Sequence, residues 1–240
     1  LTILYEDEHI LLVDKRPGLV VHPDETERVN TLITHIQAYL YQKKEWSPYQ
    51  EGAFAPALCN RIDRNTGGIV IAAKTAEGLR VMNQKIRDRE LKKYYLCIVH
   101  GTLPRPAGRL EGYILKDEAK KAGHREQPSQ AGGQDGRHTV RDPGRPERAL
   151  PGALPAHHRA HPPDPGPVRR RRPPPFGDGK YGRAKDNKRY GRTAGQALCS
   201  YQLTFRFTTD AGCLEPLNGR TWTVDRVDFV EEYFPGVALD

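Results

Sequence analysis

The sequence predicts an α+β fold built on a mixed sheet that is largely antiparallel. Short β-rich runs bounded by turn residues outnumber the helical segments. The helical segments are too few for the regular strand and helix alternation of a parallel α/β sheet. At 240 residues, the chain accommodates one domain with a sizeable core, with or without an irregular insert.

The N-terminal part alternates strands with turns before the first helix. Residues 2–24 hold β-rich runs separated by two clusters of turn formers, which predicts a hairpin or meander. Apolar residues at helical spacing then predict a helix that begins at Asn30 or Thr31, either of which can serve as N-cap, and ends near Lys43. The apolar run 69–73 is short enough to be a buried strand.

The same pattern continues to the C-terminus. Thr75 can cap a second helix, on which Leu79, Met82 and Ile86 share one face. Further strands are predicted at 94–99, 109–115, 197–207 and 221–224, followed by a short helix at 229–234.

Composition indicates a reducing compartment and a polyanionic partner. The four cysteines form no CxxC pair, so we expect free thiols and neither disulfides nor a zinc site. No apolar run approaches the roughly 20 residues that span a bilayer, and no leader pattern opens the chain. We therefore expect a soluble, cytoplasmic protein without membrane association. The net charge of +8 suggests nucleic acid, although residues 123–175 hold ten arginines and five acidic residues and so supply +5 of it.

An arginine-rich turn, NRIDRNTGG, carries the chemistry. Taken alone, its Asp63 would cap the turn and pair with Arg61 or Arg64. The string nevertheless resembles the HRLDxxTSG signature of RluA-type pseudouridine synthases. Further motifs resemble that family in the same order and spacing: EDEHILLVDKRPGLVVHPD, IVIAAKT, ELKKYYLCIVHG, GDGKYG, ALCSYQLTF and LNGR.

The resemblance covers residues 1–122 and 176–236 and departs from the signature next to the aspartate. Asn60 stands for His, Ile62 for Leu and Gly67 for Ser, while Asp63 itself is kept. It implies a pseudouridine synthase catalytic domain: a mainly antiparallel mixed sheet with flanking helices and a central cleft. No separate RNA-binding domain is expected ahead of residue 1.

The resemblance also implies a reaction and a set of site residues. Uridine in structured RNA would be isomerised to pseudouridine, with large-subunit ribosomal RNA the first candidate substrate and tRNA the second. Asp63 would be the catalytic carboxylate, without metal or cofactor. Arg61 would position the flipped nucleotide, and Tyr95 would stack on the uracil, although it also fits an ordinary strand aromatic. Asn60 and Thr66 complete the expected substrate-binding set, in a monomeric protein.

Residues 123–175 break every pattern in the chain. They contain no Ile, Phe, Tyr, Trp, Met, Lys or Asn, and such a segment cannot bury enough apolar surface to fold alone. The motif TGRTHQIR, whose last arginine would pair with Asp63 by the resemblance, is absent. Back-translation of residues 157–175 with G/C-rich codons gives TTGRTHQIRAQFAAAGHPL when shifted by one base, and residues 134–142 similarly give KTAVTRYG. We infer two compensating frame changes, near Ala122 and Phe176.

The alternatives differ in what the chain would do as written. Without the central strands and the arginine, we expect it to fold poorly and to show little activity. A genuine insert would be disordered and basic, and it could grip RNA phosphates in a non-catalytic RNA-binding remnant. A carboxylate hydrolase is disfavoured, because no paired-carboxylate motif accompanies Asp63.

Overall fold

The computed structural model describes residues 1–98 and 196–234 in full, and the backbone alone of 107–114, 134–141 and 151–157. The strands are β1 (Thr2–Glu6), β2 (Ile10–Lys15), β3 (Ala57–Leu58), β4 (Gly67–Ala73), β5 (Leu91–Ile98), β6 (Ala107–Ile114), β7 (Gln134–Arg141), β8 (Pro151–His157), β9 (Leu198–Phe205) and β10 (Thr221–Thr223). The helices are α1 (Leu32–Gln42), α2 (Ala76–Arg87), a 3-10 helix (Gly212–Leu217) and α3 (Asp228–Tyr233).

These strands form one mixed sheet, as the sequence predicts. Its order is β1-β2-β4-β9-β5-β8-β7-β6, with β3 paired to β4 and β10 paired to β9. Within this described part the pairing of β4 with β9 is parallel, and the other ladders are antiparallel. The parallel contact is short, joining Gly67 to Cys199 and Gly68 to Ser200.

Strand β4 and residues 10–13 of β2 have no polar side chain, because helices cover both faces of the sheet there. On one face, Leu11 and Val13 of β2 pack with the buried residues of α1. On the other face, Ile10 and Leu12 pack with residues of α2, the 3-10 helix and α3. Adjacent residues of one strand therefore enter two different cores.

Both long helices begin at threonines, and the predicted N-cap residues Thr31 and Thr75 are confirmed. Thr31 forms a capping box with Thr34, and the hydroxyl of Thr75 accepts from the N–H of Gly78 at 3.1 Å. The buried face of α2 comprises Gly78, Val81, Met82 and Lys85. Of the face predicted for this helix, Met82 is buried, whereas Leu79 and Ile86 are only half-buried. The buried face is therefore rotated relative to the predicted one.

The rotation of the buried face of α2 follows from the close approach of this helix to the β1–β2 turn. A Cβ on Gly78 would lie 2.8 Å from the carbonyl oxygen of His9, so the glycine lets the helix contact that backbone. Beyond it, Lys85 is buried at 1% exposure and donates to Glu90 Oε2 at 2.8 Å and to the carbonyl of Thr209 at 2.6 Å. Burial alone would raise the pKa of Glu90, but hydrogen bonds from Lys85, Thr208 and Thr209 lower it to about 2.

The predicted strands and helices are present with shifted ends, and some elements were missed. β4 begins two residues and β5 three residues earlier than predicted, while Val99 and Leu115 lie outside the described residues. The two-residue β3 and the 3-10 helix, which contains Pro216, were not predicted. Within 123–175, where no packed structure was expected, the structure describes the backbone of β7 and β8, and the remainder lies outside the described residues. The inferred frame change stays a prediction.

Candidate active site

Asp63 lies in the turn between β3 and β4, with its side chain exposed. Its carbonyl oxygen accepts from the N–H of Thr66 at 3.1 Å, which closes the turn. The preceding Ile62 is only 6% exposed and packs into the α1 core, so it anchors the segment to the body of the protein. The turn thus presents a carboxylate to solvent from a fixed backbone.

A buried lysine clamps this turn to the one that follows β2. Lys15 is 1% exposed, and its Nζ donates to the carbonyls of Arg16 at 3.1 Å, Leu19 at 2.8 Å and Arg64 at 2.9 Å. Burial lowers the pKa of Lys15 to about 8, against the opposing charges of Asp63 and Asp14. Since Asp63 acts on this ammonium group, the structure brings a positive charge close to the exposed carboxylate.

Arginines flank the Asp63 turn on its solvent side. The guanidinium of Arg64 donates to the carbonyl of Gly18 at 3.2 Å and to the hydroxyl of Thr26 at 3.3 Å. Burial of His22 lowers the pKa of its imidazole, and the charge of the exposed Arg61 lowers it further. Arg64 therefore holds neighbouring loops, while Arg61 remains at the surface beside Asp63, where the sequence analysis expects a nucleotide contact.

Tyr95 on β5 shares the region with Asp63. Its side chain is 8% exposed, and β5 places it opposite Ser200 of β9. Burial raises the pKa of Tyr95; the hydroxyl of Ser200 opposes this increase, and the charge of Asp63 adds to it. The phenol is therefore protonated at neutral pH, and Asp63, 32 positions earlier in the sequence, lies within electrostatic range of it.

The other two predicted substrate residues make bonds within the protein. Asn60 Oδ1 accepts from the N–H of Ile71 at 2.7 Å and so ties the signature to β4. The buried hydroxyl of Thr66 accepts from Gln196 Nε2 at 2.8 Å, which joins the Asp63 turn to the segment before β9. Both side chains support the position of the turn, and their contact with substrate stays a prediction.

The glycine at position 67 accommodates the turn after β2. A Cβ there would lie 3.1 Å from Cδ and 3.2 Å from Cγ of the Pro17 ring. A serine at Gly67, as in the signature, would require that ring to move by a few tenths of an ångström.

Sequence reasoning missed Lys15, Ser200 and Gln196. A lysine that ends the apolar run ILLVDK is a signal for Lys15, because a charged residue in a strand buried on both faces needs internal partners. Ser200 and Gln196 carry no such local signal, since their contacts depend on the register of β9. Among the fully described residues, no group of three or more His, Cys, Asp or Glu side chains is arranged to hold a metal ion.

Asp14 on β2 should lower the free energy of unfolding at neutral pH. Burial, together with the carboxylates of Asp228 and Asp225, raises the pKa of Asp14 to about 6, although the N–H of Gly68 donates to it. Between about pH 4 and pH 6 the folded protein holds this proton and the unfolded chain does not, so stability falls as pH rises through that window.

We therefore expect Asp14→Asn to raise the free energy of unfolding at pH 7 by on the order of 1 kcal/mol, after allowance for solvent screening. At pH 4 the gain should vanish, because Asp14 is then protonated in the folded protein. Urea unfolding at both pH values measures this difference, with the exposed Asp210→Asn as control. An equal gain at the two pH values would contradict the assignment.

The sequence comparison identifies the family to which this fold and its aspartate turn belong. The chain belongs to the RNA pseudouridylate synthase family, whose model matches residues 9–147. No helix within the described ranges is both long and apolar enough to cross a membrane.

Curated relatives include enzymes named for two kinds of RNA. The chain is 30% identical over 123 residues to ribosomal large subunit pseudouridine synthase D of Borreliella burgdorferi, covering 49% of this chain and 36% of the relative. It is 32% identical over 102 residues to the mitochondrial tRNA pseudouridine(32) synthase of Saccharomyces cerevisiae, covering 42% of this chain and 20% of the relative. The match thus spans about a third or less of the length of these relatives.

Solved structures share the fold over nearly the whole chain. Human RNA pseudouridylate synthase domain containing 4 superimposes with a TM-score of 0.66 at 19% identity, covering 95% of this chain and 89% of that one. Human RNA pseudouridylate synthase domain containing 1 gives a TM-score of 0.60 at 14% identity, covering 99% and 95%. The α+β pseudouridine synthase fold predicted from the sequence is confirmed.

Proposed function

We propose that the Asp63 site isomerises uridine to pseudouridine in structured RNA. The observation that carries the proposal is the exposed Asp63 carboxylate, held on a turn that the buried Lys15 clamps and placed near the protonated phenol of Tyr95. Such a carboxylate can act as nucleophile or base without a metal. The clamp keeps its backbone fixed, which limits the reorganisation that the reaction would otherwise require.

The reaction breaks the N-glycosidic bond of a uridine, turns the free uracil and rejoins it through C5. Asp63 supplies the nucleophile or base for the first step. Tyr95 is a flat, largely buried ring within electrostatic range of Asp63, and we assign it to stack on the uracil and retain it. Its raised pKa makes the phenol a hydrogen-bond donor at neutral pH, so any role as a base at C5 would need that proton to leave first.

RNA is the proposed partner because two exposed arginines flank the aspartate in sequence. Arg61 is exposed beside it and Arg64 lies on the same turn, which suits a phosphate backbone and a nucleotide extruded from its helix. We propose large-subunit ribosomal RNA as the first substrate and tRNA as the second, in line with the named relatives. The cytoplasm and a monomeric state remain part of the proposal, from the sequence.

Turnover should depend on the segment between residues 122 and 176. That segment includes the place where the resemblance leads us to expect the motif TGRTHQIR and the arginine partner of Asp63. We call the chain encoded after reversal of the two inferred frame changes the frame-restored protein.

The test compares the chain as written with the frame-restored protein on ribosomal RNA transcripts. Pseudouridine is measured by mass spectrometry of nuclease-digested RNA. We expect the frame-restored protein to turn over at least about 100-fold faster, because it regains a cation that positions the catalytic carboxylate. Equal turnover would contradict the frame change. Absence of product from both, with binding that weakens steeply with salt, would favour the RNA-binding remnant.

A further inference from the structure

A β-bulge brings one serine of β9 opposite the tyrosine of the site. Along β5 and β9 the register pairs Tyr94 with Gln202 but Tyr95 with Ser200, so Tyr201 is the extra residue. Bulges of this kind redirect side chains and occur next to active sites. Without the extra residue Tyr95 would face Tyr201, whose side chain lies in the core on the opposite face from α1.

Ser200 is fixed on its other side by β4. The parallel ladder pairs it with Gly68, and a Cβ on that glycine would lie 2.2 Å from the carbonyl oxygen of Ser200. The hydroxyl of Ser200 also lies 3.3 Å from the carbonyl oxygen of Ile69. At 3% exposure, this serine is a buried polar group whose backbone cannot shift without disturbing β4.

Tyr95 needs such a partner, since a phenol that is 8% exposed loses most of its contact with water. Ser200 is the residue that the register places opposite Tyr95, and against the effect of burial its hydroxyl lowers the pKa of the phenol. A hydrogen bond between the two hydroxyls would anchor the polar end of the ring to the rigid β4–β9 contact.

We propose that Ser200 is a positioning residue for Tyr95, which orients the tyrosine ring toward Asp63 through a hydrogen bond across the bulge. This inference rests on the proposed function, because it assigns Tyr95 to the uracil. Ser200 itself does not touch the reacting atoms. Its removal should therefore affect the rate of reaction with bound RNA more than RNA binding.

The kinetic test uses Ser200→Ala in the frame-restored protein. We expect kcat to fall about 3- to 10-fold, the range of one hydrogen bond, with KM unchanged within twofold. Ser200→Thr keeps the hydroxyl and should restore most of kcat. Thr204→Val is the matched control, because its hydroxyl on the same strand bonds only to Thr221 of β10 among the contacts described, and it should leave both constants unchanged.

The specificity of the effect is tested by a double-mutant cycle with Tyr95→Phe. If Ser200 acts through the phenol, Ser200→Ala should have no effect on kcat in the Tyr95→Phe background. An undiminished effect of Ser200→Ala there would overturn the proposal, as would a fall in KM alone.

A second cycle needs no catalysis and uses the chain as written. The two substitutions should be coupled by roughly fivefold in the unfolding equilibrium constant, measured in urea. Additive effects would overturn the Ser200–Tyr95 contact. Coupling without any pseudouridine from either protein would instead reject the proposed function, so the two failures are distinguishable.

Discussion

Replacing Asp63 by asparagine in the frame-restored protein should abolish pseudouridine formation, by roughly 10⁴-fold or more in kcat. An amide has nearly the shape of the carboxylate but cannot serve as nucleophile or base. The fold should be unaffected, since the side chain of Asp63 is exposed and the turn is held through backbone atoms and Thr66. We expect the free energy of unfolding to fall by no more than about 1 kcal/mol, since the buried Lys15 loses one nearby opposite charge but keeps its three carbonyl partners.

The measurement is single-turnover formation of pseudouridine together with RNA affinity by filter binding. Affinity should stay within a few-fold, because phosphate contacts supply most of RNA binding and removing a negative charge cannot weaken them. Asp88→Asn is the matched control: an exposed carboxylate at the end of α2, bonded to Gln84 at 2.6 Å. Turnover of Asp63→Asn within tenfold of the parent would remove Asp63 from the catalytic role.

Much of the fold could be predicted because the signals are local. Capping residues before apolar residues at helical spacing located α1 and α2, the β-rich runs of 2–24 indicated the β1–β2 hairpin, and the apolar run 69–73 located β4. Elements without a local signal were missed. β3 has two residues, too few for a pattern, and the 3-10 helix contains a proline that normally argues against a helix.

The chemical groups of the site could be predicted from the sequence, but the residues that hold them in place could not. Asp63 and Tyr95 follow from the signature and its spacing, and the two residues lie within electrostatic range of each other. The lysine clamp depends on which carbonyls surround Lys15 after folding. The pairing of Ser200 with Tyr95 depends on a β-bulge, and the alternation of apolar and polar residues does not predict where a bulge shifts the register. Long-range contacts of this kind become visible only with the sheet assembled.

Gly68 is where sheet assembly and the site depend on each other. It is the second residue of β4, close after the Asp63 turn, and its φ is +104°, a conformation that residues other than glycine rarely adopt. It is also the point at which β4 meets Ser200 in the parallel ladder. The short parallel contact between β4 and β9 therefore requires a residue without a Cβ.

Gly68→Ala should lower the free energy of unfolding by about 3 kcal/mol or more, because it combines a strained φ with a clash against backbone. The added Cβ would lie 2.2 Å from the oxygen and 2.7 Å from the carbon of the Ser200 carbonyl, neither of which can rotate away. Turnover per folded molecule should also fall, since Asp63 and Tyr95 lie on either side of this contact.

Gly219→Ala separates the two contributions. Gly219 has φ at +79°, but a Cβ there meets nothing within 4 Å, so its substitution measures strain without a clash. Urea unfolding should show a cost of about 1 to 2 kcal/mol for Gly219→Ala and at least about 2 kcal/mol more for Gly68→Ala. If the two costs were equal, β4 would not be packed against the Ser200 backbone, and the link from this strand to Tyr95 would be lost.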